Sequence, residues 1–183
     1  MINDYEATRP ITADIAGGGG FGPTAGDANE ELVSTLNGLI ETCKNGQEGF
    51  TQAADGVDDG NLQTLFREYA FRRSQYIGEL QSLVQTLGGD PENSGSVAGA
   101  LHRGWLNIKA AVTGGGSEAV LDECERGEDV AKEAYKNALE MNLPDYIREV
   151  VENQYQGVLA AHDNIKALRN TADDRSSTAS SNR

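Results

Sequence analysis

The sequence predicts an all-α fold. It is a four-helix bundle of two antiparallel hairpins, with an additional amphipathic helix in the connection between them. Two observations predict it. Apolar residues recur at three- and four-residue spacing from Leu32 to Leu168, the period of a helix that buries one face. The breaks in that pattern, "DGVDDGN", "LGGDP", "TGGGS" and "MNLPDY", carry Gly, Asp and Pro, which are helix start and stop signals. No segment supports a strand.

The first helix begins near Asp27 to Asn29 and runs to about Ala54. Leu32, Leu36, Leu39, Ile40, Cys43, Phe50 and Ala53 form its apolar stripe. The second covers about Asn61 to Leu87, with Leu62, Phe66, Tyr69, Tyr76, Leu80, Leu83 and Leu87 inward, and stops at two glycines and a proline. A shorter amphipathic helix follows from Ser96 to Thr113, on the stripe Val97, Leu101, Trp105, Ile108 and Val112. Ser117 is placed to cap the third long helix, which turns Leu121, Cys124, Ala131, Tyr135 and Ala138 inward. Pro144 fits the first turn of the fourth, whose stripe is Ile147, Val151, Val158, Ile165 and Leu168.

Helices of roughly 25 residues span about 38 Å. Short turns join the first helix to the second and the third to the fourth, so each pair forms a hairpin. The crossover helix covers about 27 Å, most of the bundle's length. Hairpin, long crossover and second hairpin is the plan of ferritin-like folds. The domain spans residues 28–170. Residues 1–27, with the run "GGGGFG", and residues 171–183, "TADDRSSTASSNR", are expected to be disordered tails, because neither can bury enough apolar surface to offset its ordering entropy. The glycine run lacks the Lys-Ser/Thr and the preceding strand of a phosphate loop and reads as a linker.

Composition narrows the function. The 183-residue chain has a formal net charge of −14 and a pI near 4.4. Nucleic acid and anionic membrane are therefore not expected partners, since binding phosphate requires Lys and Arg gathered on a face. No run approaches the roughly 18 apolar residues of a membrane span, and the N-terminus lacks the basic and apolar segments of a signal peptide. The expected location is cytoplasmic. Cys43 and Cys124 have no zinc-motif or disulfide-framework spacing and read as small buried hydrophobes. A homo-oligomer is compatible with the pattern, and the sequence names no protein partner.

The segments "LNGLIETCKNGQEGF", "LGGDPENSGSVAGALHRGW", "ECERGEDVAKEAY" and "AAHDNIKALRN" closely resemble a bacterial family of ferritin-like four-helix-bundle proteins of unknown function. The resemblance covers about Leu32 to Asn170, and "GSVAGALHRGW" is its most specific part. It implies the fold and leaves the activity open. It also implies that the Glu-x-x-His slot of the second helix falls near Arg73 and Tyr76.

Active ferritin-like bundles bring one Glu from each of two helices and Glu-x-x-His from each of the other two. On the first helix Glu41 and Glu48 lie opposite the apolar stripe, and Gln47 is the inward polar residue. On the second, Arg73 stands seven residues from both Phe66 and Leu80, within the stripe. On the third, Glu128 is seven from Leu121 and Tyr135 and so shares their face. Glu123 and Asp129 point elsewhere, with Glu125 and Glu133 nearer the boundary. On the fourth, His162 keeps the histidine position while Leu159 stands where a carboxylate is needed, and Gln154 faces inward.

That leaves Glu128 and His162 as candidate metal ligands, for iron, manganese or zinc, with no cofactor predicted outright. A buried lone charge is costly, so Glu128 is expected to meet Arg73, from a second helix expected to run alongside the third, in a polar cluster with Tyr76 and Gln154. His102, Arg103 and Trp105 are expected to dock the crossover helix. Tyr69, Tyr76, Tyr135 and Tyr155 suit bundle packing with bonded hydroxyls. Three functions stay open. They are a non-catalytic structural, stress-related or interaction module with a degenerate metal site, a metal carboxylate protein using Glu128 and His162 with rim acids such as Glu125, and a small-molecule binder under the Trp105 helix.

Overall fold

The computed structural model describes residues 25–91, 111 and 116–181. It contains α1 (Ala25–Gly56), α2 (Gly60–Thr86), α3 (Gly116–Glu140) and α4 (Asp145–Ser181), with no strand among the described residues. Local chemistry sets the ends. Asp59 caps α2, its carboxylate accepting from the backbone N–H of Asn61 and Leu62 at 2.8 and 3.2 Å, which satisfies two donors the helix cannot. At the other end Gly88 adopts φ 76°, a conformation that suits glycine. It lets Gly88 and Gly89 donate back to Gln85 and Val84 at 2.9 Å, and Asn29 of α1 donates to the Leu87 carbonyl. Arg148 holds the α3–α4 hairpin by donating to the carbonyls of Leu139 and Met141.

The helices form a square. α1 packs on α2 and α3, and α4 packs on the same two. α2 and α3 therefore face each other across a diagonal rather than running side by side, which corrects the expectation that Arg73 reaches Glu128 from an adjacent helix. α2 ends where α1 begins, as the Asn29–Leu87 bond requires. α3 begins at the opposite end, where Val120 and Leu121 share a cluster with Phe50 of α1 and Val57 just beyond its end. The two points that the connection joins therefore lie at opposite ends of the bundle.

The core has two apolar clusters. One gathers Leu36, Leu39, Ile40, Leu80, Val84, Ala138, Ile147 and Val151. The other gathers Phe50, Phe66, Tyr69, Leu121, Ala161 and Ile165, with the Phe50 and Phe66 rings stacked at 6.1 Å. They meet about midway along the helices, between Cys43 and Phe50 on α1 and between Cys124 and Ala131 on α3.

One buried face and two boundaries differ from the sequence reading. α2 is turned so that Ala70, Ile77 and Val84 are buried, while Tyr76, Leu83 and Leu87 lie at the edge of the core. α1 begins at Ala25, inside the segment assigned to the tail. α4 continues to Ser181, so residues 171–181 of the segment expected to be a disordered tail are helical. It contains neither Gly nor Pro, and extending an existing helix avoids the cost of nucleation. The crossover residues His102, Arg103 and Trp105 lie outside the described residues, as do residues 1–24. Among the described residues, no helix is long and apolar enough to cross a membrane.

Candidate functional site

At the level where the two apolar clusters meet, α2 contributes Arg73 and α3 contributes Glu128. Arg73 Nη2 donates to Glu128 Oε1 at 2.6 Å and to Oε2 at 2.5 Å. The side chains are 4% and 3% exposed, so this ion pair crosses the interior between diagonal helices. The guanidinium spreads its charge over several donors. Gly46 of α1 leaves room for its stem, since a Cβ there would stand 3.3 Å from Arg73 Nε. Arg73 also lies over the Tyr76 ring, 5.6 Å from the centroid, within cation–π range.

Burial and pairing pull this site in opposite directions. Burial pushes the Glu128 carboxyl above its ordinary range, with the charge and hydrogen bonds of Arg73 pulling against it. Burial is the largest influence on Arg73 and acts to discharge it, but the Glu128 charge and hydrogen bond, together with Cys43 and Tyr135, outweigh it and hold the guanidinium above its ordinary value. Arg73 thus favours the charged form of Glu128 against burial, and Glu128 favours the charged form of Arg73.

About two turns along, a second polar chain runs from the core toward the rim. Gln154 Nε2 donates to Glu79 Oε2 at 2.7 Å. A carboxylate only accepts, so Glu79 fixes the amide and turns Gln154 Oε1 toward Tyr135, whose hydroxyl donates to it at 2.7 Å. The Tyr135 proton being used, its oxygen accepts from the Cys43 thiol at 3.1 Å. Desolvation pushes the Cys43 thiol and the Tyr135 hydroxyl up, so both stay neutral donors. Tyr76 lies at the edge, its hydroxyl packed where a Cβ at Gly157 would overlap it.

A third grouping sits beside the ion pair, at the α3–α4 rim. His162 is buried, its side chain 6% exposed, with Nε2 3.1 Å from Asp129 Oδ1 and Nδ1 2.9 Å from Asp163 Oδ1. Lys132 Nζ stands 3.1 Å from the same Nε2 and 3.2 Å from Asp129 Oδ1. Glu125 is also buried, with Arg169 Nη1 2.7 Å from its Oε2. That nitrogen is off the hydrogen-bonding direction, and Oε2 has no hydrogen-bond partner. One donor atom each from Glu125, Asp129 and His162 lies within 4.8 Å of the others.

The four-residue polar cluster expected from sequence is divided between two arrangements. Arg73, Tyr76 and Glu128 make the first, while Gln154 joins Tyr135, Cys43 and Glu79 in the second. Of the candidate metal ligands, Glu128 gives both oxygens to Arg73, whereas His162 turns toward Asp129, Lys132 and Asp163. Asp129 was set aside in the sequence as pointing elsewhere. Its spacing of four from Glu125 places the two on one helix face, a signal that needed His162 from another helix to become meaningful.

A pair of metal ions in such a bundle requires carboxylates and histidines converging from all four helices. The residues that converge in the middle here are Arg73, Glu128, Tyr135, Gln154 and Cys43, and the one acid among them is held by a guanidinium. This donor set does not fit a di-metal centre.

Fold and interior together define a ferritin-like four-helix bundle whose middle is closed by an ion pair. The chain belongs to the family described as a domain of unknown function, DUF2383, which matches residues 31–141. That match takes in α3 and stops before α4. A solved structure that resembles the fold is a two-domain protein from Anabaena variabilis containing DJ-1/ThiJ/PfpI-like and ferritin-like domains. The two share 17% identity at a TM-score of 0.66, over 79% of this chain and 40% of that one. This chain thus spans well under half of that protein's length. No curated protein matches the chain.

Proposed function

We propose that this protein is a non-catalytic ferritin-like module, acting as a structural or interaction element through its surface rather than through chemistry in its core. The observation that carries this reading is the Arg73–Glu128 pair. It puts a fixed cation where a di-metal carboxylate protein would need open anionic oxygens, and it takes both oxygens of the interior acid. Gln154 and Tyr135 support the same reading, because their hydrogen-bonding groups are already committed to each other. Ferrous iron titrated anaerobically into protein purified without chelator, followed by oxygen uptake, tests it. The reading expects no rapid oxygen consumption and no iron whose binding depends on Glu128. Two iron ions per chain, lost in Glu128→Gln, would overturn it.

A further inference from the structure

We propose that Glu125, Asp129 and His162 form a site for one divalent transition-metal ion of the zinc class, and that the Lys132 ammonium occupies the cation position when the metal is absent. The site lies at the α3–α4 rim and is separate from the interior ion pair.

The donor chemistry fits. Zinc takes imidazole nitrogen and carboxylate oxygen at about 2.0–2.2 Å, often with three protein ligands and an open position. Two such ligands at a tetrahedral angle stand about 3.4 Å apart. His162 Nε2 and Asp129 Oδ1 are 3.1 Å apart, close to that separation. Glu125 completes the three within 4.8 Å, so its carboxylate needs only a small movement.

The imidazole is already oriented for this role. Its Nδ1 faces Asp163 Oδ1 at 2.9 Å and its Nε2 faces the Lys132 ammonium, which only donates. Asp129 Oδ1 stands 3.1 Å from the same Nε2; in the neutral tautomer that Asp163 and Lys132 favour, the proton is on Nδ1 and the Nε2 lone pair faces the cluster. A histidine ligand held by a carboxylate on its other nitrogen is the usual outer arrangement of a metal site. Glu125 points to the same place independently. It is 8% exposed, and its Oε2, paired in charge with Arg169 Nη1 at 2.7 Å, makes no aligned hydrogen bond, which leaves its lone pairs able to take another donor or a cation.

Lys132 bridges the two donors, 3.1 Å from His162 Nε2 and 3.2 Å from Asp129 Oδ1. It therefore substitutes for a metal, holding one positive charge between the same lone pairs. Its side chain is 29% exposed, and its flexible stem lets the ammonium leave for solvent. Arg169 beside Glu125 is also partly exposed, at 27%, and swings away in the same manner.

Calorimetric titration of the full chain with Zn²⁺, and visible spectra with Co²⁺, test the proposal. One equivalent is expected, with Co²⁺ d–d bands of a four- or five-coordinate site. His162→Gln and Asp129→Asn should abolish these bands, and Asp163→Asn should weaken Zn²⁺ binding by about tenfold as the ring loses its orientation. Lys132→Met should strengthen binding, because it removes the competing cation. Asp129, Lys132 and Asp163 are at the surface, so their variants report on the site even if His162→Gln is unstable. Binding to several equivalent weak sites, unchanged in Asp129→Asn and Lys132→Met, would overturn the proposal. So would Co²⁺ bands that survive Asp129→Asn but vanish in Glu128→Gln, an outcome that would also count against the reading of the interior.

Discussion

Glu125 and Glu128 lie one helical turn apart on α3 and are both buried, yet they are neutralised in different ways. Glu128 points at the bundle axis and receives both its hydrogen bonds from Arg73 on the diagonal helix. Glu125 points at the groove between α3 and α4. There its neighbour is Arg169, partly exposed and poorly aligned, and one oxygen has no hydrogen bond. An acid at the axis has no access to water or free ions, so the fold must supply a dedicated cation. At the rim the counter-charge can be exchanged. The interior pair is thus a fixed structural part and the rim a place where cations can compete.

The largest expected effect lies at the axis. Arg73→Met leaves Glu128 buried and unpaired, which should cost about 3–5 kcal/mol, read from urea unfolding near neutral pH. The loss should shrink on acidification. Burial already pushes the Glu128 carboxyl up from 4.5, and without Arg73 it rises further. The folded variant then binds more protons than the unfolded chain at pH values above 4.5, so its stability increases as the pH falls. A deficit that stays constant from pH 7 to 5 would contradict this account of the axis.

Tyr135→Phe should cost about 1–3 kcal/mol, because Gln154 Oε1 loses its donor in a dry environment. Glu79→Gln is the softer comparison at the outer end of the same chain, since an amide can still accept from Gln154 there. An equal loss in both variants would show that the chain is not graded from core to rim.

The buried thiols should appear at alkaline pH. Desolvation pushes Cys43 and Cys124 above the ordinary thiol value of 9.0, so the folded chain keeps protons the unfolded chain loses. The stability these groups contribute is complete below pH 9.0 and is lost as the pH rises toward their folded values. Thermal midpoints should fall on that limb, and Cys124→Ala should flatten it. The smallest effect belongs to the rim. Asp129→Asn removes a carboxylate that is 58% exposed and should change stability by less than about 0.5 kcal/mol, while removing a ligand of the proposed site.

Much of the architecture was legible because helices announce their ends and faces locally. "DGVDDGN" and "LGGDP" located the first hairpin and the start of the crossover, and Asp59 and Gly88 now explain how. The heptad positions of Arg73 and Glu128 on apolar stripes identified two buried charges. Periodicity gives a face but not its opposite number, so the diagonal relation of α2 and α3 could not be read. Along α2 the apolar residues spread over a wide arc, and the stripe read from sequence took the wrong edge of it, with Tyr76, Leu83 and Leu87 inward. Ile77 and Val84 took the core, leaving Tyr76 and Leu83 at its margin. The rim site was hidden for a similar reason. Asp129 is solvated on its own helix and gains meaning only from His162, thirty-three positions away in the sequence.

A double-mutant cycle on Arg73→Met and Glu128→Leu tests the central claim most directly, that a fixed ion pair closes the middle of this bundle. The account predicts that Arg73→Met alone is the least stable form. It also predicts that adding Glu128→Leu restores much of the loss, because two apolar side chains replace two charges. Costs that add to within about 0.5 kcal/mol would mean that the two residues act independently, and would contradict it.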